Sequence, residues 1–387
     1  MIFEASRAKA LNQLNNFVEN NLGEYSKLRN FDFGPEKRSN ISCLSPYITH
    51  GIINEQEVIQ KALSKFSFSK NEKFIQEVLW RTYWKGWLEL RPNVWTDYLI
   101  ELNQIRNEFQ SNQNYLNAIE GKTNIDCFNE WVKELKEINY LHNHTRMWFA
   151  SIWIFTLGLP WQLGANFFMH RLYDGDPASN TLSWRWVAGL QTVGKNYLAT
   201  SSNIAKYTAG KYRPNNIIED AEPLTSSKIY NVNELDFSNF RSNNDNLMVF
   251  DSNLDYQFIN HCKDRYKKIY FVLLLNDHRK ITLSERVISF KKALIDDISS
   301  KFDQSIILNG DDCITLFDGD ETFDIIYPSI GENLSFINLY KRSDKTNFVY
   351  NESDLACWQF SKKGFFNFKK NIPGIIKNLN SNGELFT

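Results

Sequence analysis

The hydrophobic period of this chain changes once, and that change limits what it can fold into. From Ala5 to about Tyr207, apolar residues recur three and four apart with no alternating runs, the pattern of amphipathic helices. Beyond about Asn231, short β-branched or apolar runs appear: Leu247 to Phe250, Ile269 to Leu275, Ser305 to Leu308 and Phe323 to Tyr327. Helical stretches such as Leu283 to Phe302 separate them, and strand–helix–strand alternation predicts a parallel sheet. Between the two regimes lies KYRPNNIIEDAEPLTSSKIYN, polar and carrying Pro214 and Pro223, which reads as a linker. A length of 387 residues exceeds what one hydrophobic core organises. The predicted architecture is therefore multidomain: an all-α domain over 1–213, a linker over 214–240, and a smaller α/β, Rossmann-like domain over 241–387. The tail from about Leu355 reads as basic-aromatic and irregular.

Of the 11 tryptophans, only Trp358 lies beyond position 200, so the two halves are built differently. The net charge of −1 hides an asymmetry. Residues 1–214 hold 24 basic and 20 acidic side chains, a net of +4, whereas residues 215–387 hold 20 and 25, a net of −5. A mildly basic helical half is compatible with a local phosphate-binding patch. The five cysteines are scattered and form no C-x-x-C or His/Cys cluster, which argues against a metal site and for free thiols in a reducing cytoplasm. The N-terminal stretch lacks the features of a signal peptide, and no stretch approaches a bilayer-spanning run, so no membrane association is expected.

Four segments of the helical half carry chemistry. Ser42-Cys-Leu44-Ser45-Pro46 sets two hydroxyls three apart at a predicted helix start, where unpaired N–H groups bind phosphate; simple capping by Ser45 is the alternative. In Phe74-Ile-Gln-Glu77-Val-Leu-Trp80-Arg81, the residues Glu77, Trp80, Arg81 and Trp84 share one helical face. Carboxylate, guanidinium and indoles suit a cavity that stacks a flat group and hydrogen-bonds its edge; a Glu77–Arg81 surface pair beside buried tryptophans is the alternative. In His142-Asn143-His-Thr-Arg146-Met147, Asn143, Arg146 and Met147 share a face, while His142 and His144 lack the spacing of a helical metal pair. Finally, Asp174-Gly175-Asp176-Pro177-Ala-Ser-Asn180 places Asn180 one turn past Asp176, and Trp184 and Trp186, two apart, point to nearly opposite sides of a helix.

The order S-x-L-S-P, E-x-x-W-R, H-N-x-x-R-M and D-G-D-x-x-x-N-x-x-x-W-x-W resembles the FAD-binding domain of photolyases and cryptochromes, over about Ala5 to Tyr212. The resemblance implies FAD as cofactor. It assigns Tyr25, Ser42, Leu44, Ser45, Phe74, Arg81, Arg146, Asp174, Asp176 and Asn180 to cofactor binding, with Arg146 paired to Asp174, and Arg29 to DNA. It assigns Glu77, Trp80, Asn143, Met147 and Trp186 to a pocket for an extruded pyrimidine dimer, since the flavin cannot reach a stacked lesion. The implied activity is that of a deoxyribodipyrimidine photolyase: light-driven repair of cyclobutane pyrimidine dimers in DNA by electron transfer from reduced FAD. A blue-light photoreceptor without repair is the alternative.

Trp184 and Trp161 match the inner and middle members of the family's electron-transfer chain. The outer member has no tryptophan counterpart, since Glu108 to Gly121 offers only Phe109 and Tyr115. The α/β region follows the helical domain instead of preceding it, so an order-swapped, antenna-like domain is expected, with a structural appendage as the alternative; the antenna chromophore stays open. The expected partner is dimer-containing DNA, single- or double-stranded, bound by a cytoplasmic monomer.

Overall fold

The structure, a computed structural model, describes residues 3–235 and 244–382. Residues 236–243, where the linker meets the α/β region, lie outside the described residues. The helices of the first half are α1 (Arg7–Asn20), α2 (Tyr25–Leu28), α3 (Ser45–Ile48), α4 (Glu55–Lys65), α5 (Phe68–Glu89), α6 (Asn93–Phe109), α7 (Gln113–Glu120), α8 (Asp126–Ile138), α9 (Asn143–Ser151), α10 (Trp161–Arg171), α11 (Pro177–Ala188) and α12 (Ser201–Tyr207). There follow β1 (Asn246–Phe250), α13 (Tyr256–Cys262), β2 (Lys268–Leu273), α14 (Glu285–Ser299), β3 (Ser305–Asn309), α15 (Gly310–Asp318), β4 (Phe323–Ile326), α16 (Glu332–Tyr340), β5 (Thr346–Val349), α17 (Glu352–Trp358), α18 (Phe365–Lys369) and α19 (Ile372–Asn382). The chain is thus a helical region followed by an α/β region with a parallel sheet, the class that the change of period predicts. By packing it forms two compact units: Met1–Phe3, Asn20–Cys43 and Asn93–Tyr230 make the first, and Glu4–Glu19, Leu44–Pro92 and Asn231–Thr387 the second.

The first unit is a helix cluster whose ends are set by local chemistry. Asp176 caps α11 by accepting from Ser179 N at 2.6 Å, with Pro177 pre-set for the first turn. At the far end Gly189 takes a left-handed φ of 87° and closes the helix. Asn139 ends α8 in the same way, at φ 59°. Helix α9 runs on into a π-helical turn over Ile152–Thr156. In that turn Trp153 donates from Nε1 to Pro160 O at 3.0 Å, which holds the widened turn against the following loop.

In the second unit the five-stranded sheet has the order β3-β2-β1-β4-β5, with every pair parallel. Strand β1 is buried along its whole length, which is why Leu247 to Phe250 is continuously apolar instead of alternating. Met248, Phe250, Tyr270, Val272, Phe323 and Ile325 form the centre of one buried cluster with Phe336 and Ile337 of α16. Strand order reverses between β1 and β4, the place where open parallel sheets commonly bind ligands. Here protein groups bridge it: Asn253 Nδ2 donates to Tyr327 O at 3.2 Å, and Ser252 Oγ to Pro328 O at 3.3 Å. Glu89, at the end of α5, accepts from Tyr327 OH at 2.7 Å and from Ile330 N at 2.9 Å.

Burial pushes the Glu89 carboxyl up to about 7. A carboxyl raised in the folded state contributes stability that is complete below its unfolded value near 4.5 and is lost as pH rises through about 7. Wild-type protein is therefore expected to lose stability between those two pH values, by up to about 3 kcal/mol from this group. Glu89→Gln should flatten that part of the profile, measured as urea midpoints at several pH values. An unchanged slope would show that Glu89 does not carry it.

Three details depart from the sequence-based expectation. Strand β5 was not predicted, because Thr346–Val349 is four residues long and half-buried at the sheet edge, with little apolar signal. The tail is helical rather than irregular: α17, α18 and α19 are too short to be stable alone and form by docking, α17 and α18 on α5 and α19 on α17. That docking is close, since a methyl at Gly86 would lie 2.6 Å from Trp358 Cδ1 and 2.9 Å from Trp358 Cα. Finally, Ser45 is the first residue of α3 and not its cap; Leu44 holds that position without a side-chain bond, since its αR backbone leaves the turn one residue earlier.

Candidate functional site

The expected site residues fall in both units. In the first, Asp174 and Asp176 flank Gly175 ahead of α11, and both carboxylates are buried, at 7% and 6% exposure. Arg146 donates from Nη2 to Asp174 Oδ2 at 2.8 Å, the pair that the resemblance implies. Its Nε donates to Leu141 O at 2.9 Å, so the guanidinium is held from two sides. Asn180, one turn past Asp176, donates from Nδ2 to Ala165 O at 2.8 Å, which fixes the direction of its carbonyl. Asn143 is exposed at the first turn of α9, with Met147 half-buried one turn on. Tyr25 is buried, whereas Arg29, half-buried, ends α2 and Ser42 is half-buried. Cys43, between Ser42 and Leu44, adopts φ 51°, a left-handed backbone that is uncommon for a residue with a Cβ and sharpens the turn at this motif.

The two tryptophans of α11 have opposite surroundings. Trp184 is 2% exposed and packs edge-to-face on Phe149, Trp153 and Phe168. Its ring lies so close to Gly164 of α10 that a methyl there would occupy the same space, so only glycine permits this seat. Trp186 is half-buried and stacks on Tyr197 at 5.6 Å between centroids, inclined 25°. Trp161 is buried and stacks on Tyr98 at 5.4 Å.

A buried ionic network beneath α9 escaped the sequence reading. Arg38 pairs with Glu134 and, at 3.3 Å, with Asp32, while Thr145 Oγ1 donates to Asp32 at 2.6 Å. Burial opposes the charge on Asp32 more than any single neighbour favours it, but Arg38 together with the surrounding groups, including the bonds from Thr145 and Gly34 N, outweighs it and holds the carboxyl below its usual range. Burial pushes Glu134 up to about 7 and pushes His142 down to about 4, so that His142 is neutral near pH 7. Neutral His142 accepts on Nδ1 from His144 N at 3.1 Å and caps α9 directly before Asn143. His142 and His144 therefore have structural partners; His144 bonds through Nδ1 to Asn30 O at 3.0 Å. No cluster able to hold a metal occurs among the described residues. The only prior signal was the run of polar residues around Asp32 to Arg38, which looks like an ordinary loop.

In the second unit, Phe74, Glu77, Trp80 and Arg81 all lie on α5. Phe74 packs inward on Phe17, with ring centroids at 5.4 Å. Glu77 is exposed and Trp80 half-buried. Arg81 donates from Nη2 to Thr49 O at 3.1 Å and pairs with Glu55 at 3.3 Å, which ties α5 to the segment following α3. Leu44 is buried and Ser45 half-buried at the start of α3. One face of Trp80 is covered by Phe365 of α18, at 3.6 Å between centroids and inclined 10°. That contact was not legible in the sequence, because 285 positions separate the two residues.

The residues of the first unit suit a large ligand that carries hydroxyl and ring N–H donors. Asp174 and Asp176 offer acceptors, Arg146 a cationic donor and Asn180 both kinds of group. The Thr181 hydroxyl and Trp184 Nε1, also on α11, are buried without a protein hydrogen-bond partner among the described residues, where buried polar groups are normally satisfied. FAD fits this donor and acceptor set. All five cysteines are buried and free.

A helical region with this acceptor-rich segment, followed by a parallel α/β region, defines a class of flavoprotein. Residues 74–213 match the family model described as the FAD binding domain of DNA photolyase, and over that segment the chain is similar to the photolyase/cryptochrome family. A deoxyribodipyrimidine photo-lyase of Vibrio cholerae is 26% identical over 218 residues, 55% of this chain and 44% of that protein. One from Streptomyces griseus is 31% identical over 152 residues, 39% of this chain and 32% of that protein. Among solved structures, a cryptochrome of Synechocystis sp. PCC6803 is 21% identical with a TM-score of 0.46, covering 54% of this chain and 44% of that one. The chain spans less than half the length of these relatives. No helix among the described residues is long and apolar enough to cross a membrane.

Proposed function

We infer that this protein binds FAD through its helical residues and uses it to repair cyclobutane pyrimidine dimers in DNA under light. The observation that carries the reading is the buried Asp174 carboxylate, paired with the half-buried Arg146 beside Asp176 and Asn180, inside the segment that matches the FAD-binding family model. Bound FAD supplies a light-excited electron donor for ring splitting. The protein's task is then to bind, orient and exclude water. Asp174 and Asp176 would accept hydrogen bonds from cofactor donors, with Arg146 held in place by Asp174; Tyr25, Ser42, Leu44, Ser45, Phe74 and Arg81 would complete the seat. The fixed amide of Asn180 would present its carbonyl to the ring system. Glu77 would accept from the edge of an extruded base, Trp80 and Trp186 would pack on the lesion, and Asn143 and Met147 would line its pocket. Extrusion is cheapest for a dimer, which is already poorly stacked. Arg29 would contact a phosphate, and Trp161 and Trp184 would carry electrons. We take 1–213 as the catalytic domain and 241–387 as the α/β domain.

One observation favours a photoreceptor without repair: Phe365 already covers one face of Trp80. Illumination of the protein with reduced FAD and a thymine-dimer oligonucleotide separates the readings. Repair predicts loss of dimer; Trp186→Ala should slow that loss roughly tenfold to a hundredfold, the scale of one lost stacking contact, and Glu77→Ala should slow it by removing a hydrogen-bond acceptor, both with flavin retained. An intact dimer beside fully bound flavin would leave the photoreceptor reading.

A further inference from the structure

The tail beyond the matched family segment carries an unused feature. Residues 355–382 contain five lysines and no acidic residue, within a half of the chain whose net charge is −5. The sequence Lys362-Lys363-Gly-Phe365-Phe366-Asn-Phe368-Lys369-Lys370 brackets three aromatic rings with two pairs of cations. Its backbone is pinned to α5 and to Arg91 just beyond it. Arg91 Nη2 donates to Lys362 O at 2.8 Å and Tyr83 OH to Lys363 O at 3.0 Å. Phe365 stacks on Trp80, and Phe368 packs against Tyr83 with centroids at 5.6 Å. With Phe365 and Phe368 turned inward, the residues between and beside them are turned out. Phe366 is 83% exposed, and Lys362, Lys363 and Lys370 are all exposed. Lys369 is paired with Glu72 at 3.1 Å, whereas the other three lysines make no ion pair among the described residues.

We propose that this segment is a nucleic-acid contact: Lys362, Lys363 and Lys370 meet backbone phosphates, and Phe366 offers its ring to an unpaired base of a single strand. The proposal rests on the reading above in that its partner is the same DNA. Cations that bracket an exposed ring are the arrangement by which proteins hold single strands without sequence preference. Lys363 and Lys370 lie on either side of a helix of about 7–8 Å, roughly the rise of two nucleotides along one strand. A lipid surface fits less well, because one exposed ring on a five-residue helix lacks the apolar face of an interfacial helix. Docking on α5 sets the groups in place before binding, which lowers the ordering cost.

The test is anisotropy of a fluorescein-labelled, undamaged oligothymidylate, titrated in the dark with the full chain at several salt concentrations. Phe366→Ala should weaken binding about tenfold. The triple variant Lys362→Gln, Lys363→Gln, Lys370→Gln should lower the slope of log affinity against log salt by about 2, at about 0.7 per phosphate contact. All four side chains are exposed, so both variants should fold, checked by thermal midpoint. Wild-type affinity and slope in both variants would overturn the proposal. So would a loss of binding to phosphatidylserine vesicles with oligonucleotide binding unchanged. No lesion, light or flavin enters the measurement, so its result is independent of whether dimers are repaired.

Discussion

Lys291→Met is expected to destabilise the α/β region by about 3–5 kcal/mol at neutral pH, the cost of leaving a buried carboxylate without its main partner. Asp251 follows β1 and is 1% exposed. Lys291 of α14 donates to its Oδ2 at 2.5 Å, Arg279 stands at 3.5 Å, and Asn333 donates to its Oδ1 at 2.9 Å. Burial alone would raise the Asp251 carboxyl, but Lys291 and then Arg279 outweigh it and hold the group well below the usual carboxylate range. In wild type this stability is therefore present above the unfolded value near 3.8 and is lost as pH falls below it. Without Lys291 burial dominates, the carboxyl titrates higher, and the cost grows as pH rises. The variant's deficit in urea unfolding should accordingly be larger at pH 7 than at pH 4, and adding Asp251→Asn should recover part of it. A loss below about 1 kcal/mol at neutral pH, the size of an exposed pair, would refute the assignment.

Asp174→Ala is expected to abolish stable flavin binding, with affinity for FAD falling about a hundredfold, equivalent to about 3 kcal/mol. Two effects combine. A buried acceptor is removed from the proposed seat, and Arg146 loses the partner that orients it at 2.8 Å. Asp174→Asn keeps the shape without the charge and should fall between wild type and alanine. Asp176→Ala should also cost about 1 kcal/mol of fold stability, because its carboxylate caps α11, whereas Asp174→Ala should shift binding more than unfolding. Calorimetric titration of flavin-free protein with FAD, alongside thermal midpoints, separates the two. Tight FAD binding by Asp174→Ala would remove that residue from the seat.

Local chemistry was legible wherever a function depends on near neighbours in the chain. The D-G-D-P-A-S-N order reports a capped helix start with carboxylates one turn from an amide, and the structure shows Asp176 as the cap and Arg146 on Asp174. Continuous apolar runs marked β1 and β2, because strands buried on both faces have no polar side to interrupt them. Strand β5 and the three tail helices carry little such signal, since their stability comes from the surfaces they cover.

Sequence by itself determined the helix-then-sheet order and the cap at Asp176, because a helix or a strand is decided by side chains within a turn or two of one another. Tertiary structure alone decided that Phe365 covers Trp80, that Tyr197 backs Trp186, that Arg38 sits between Asp32 and Glu134, and that Glu89 bonds to Tyr327 and Ile330 beyond β4. Each of these joins residues far apart in the chain. Burial and pairing there depend on which surfaces meet, and a run of residues read one at a time contains no record of that meeting.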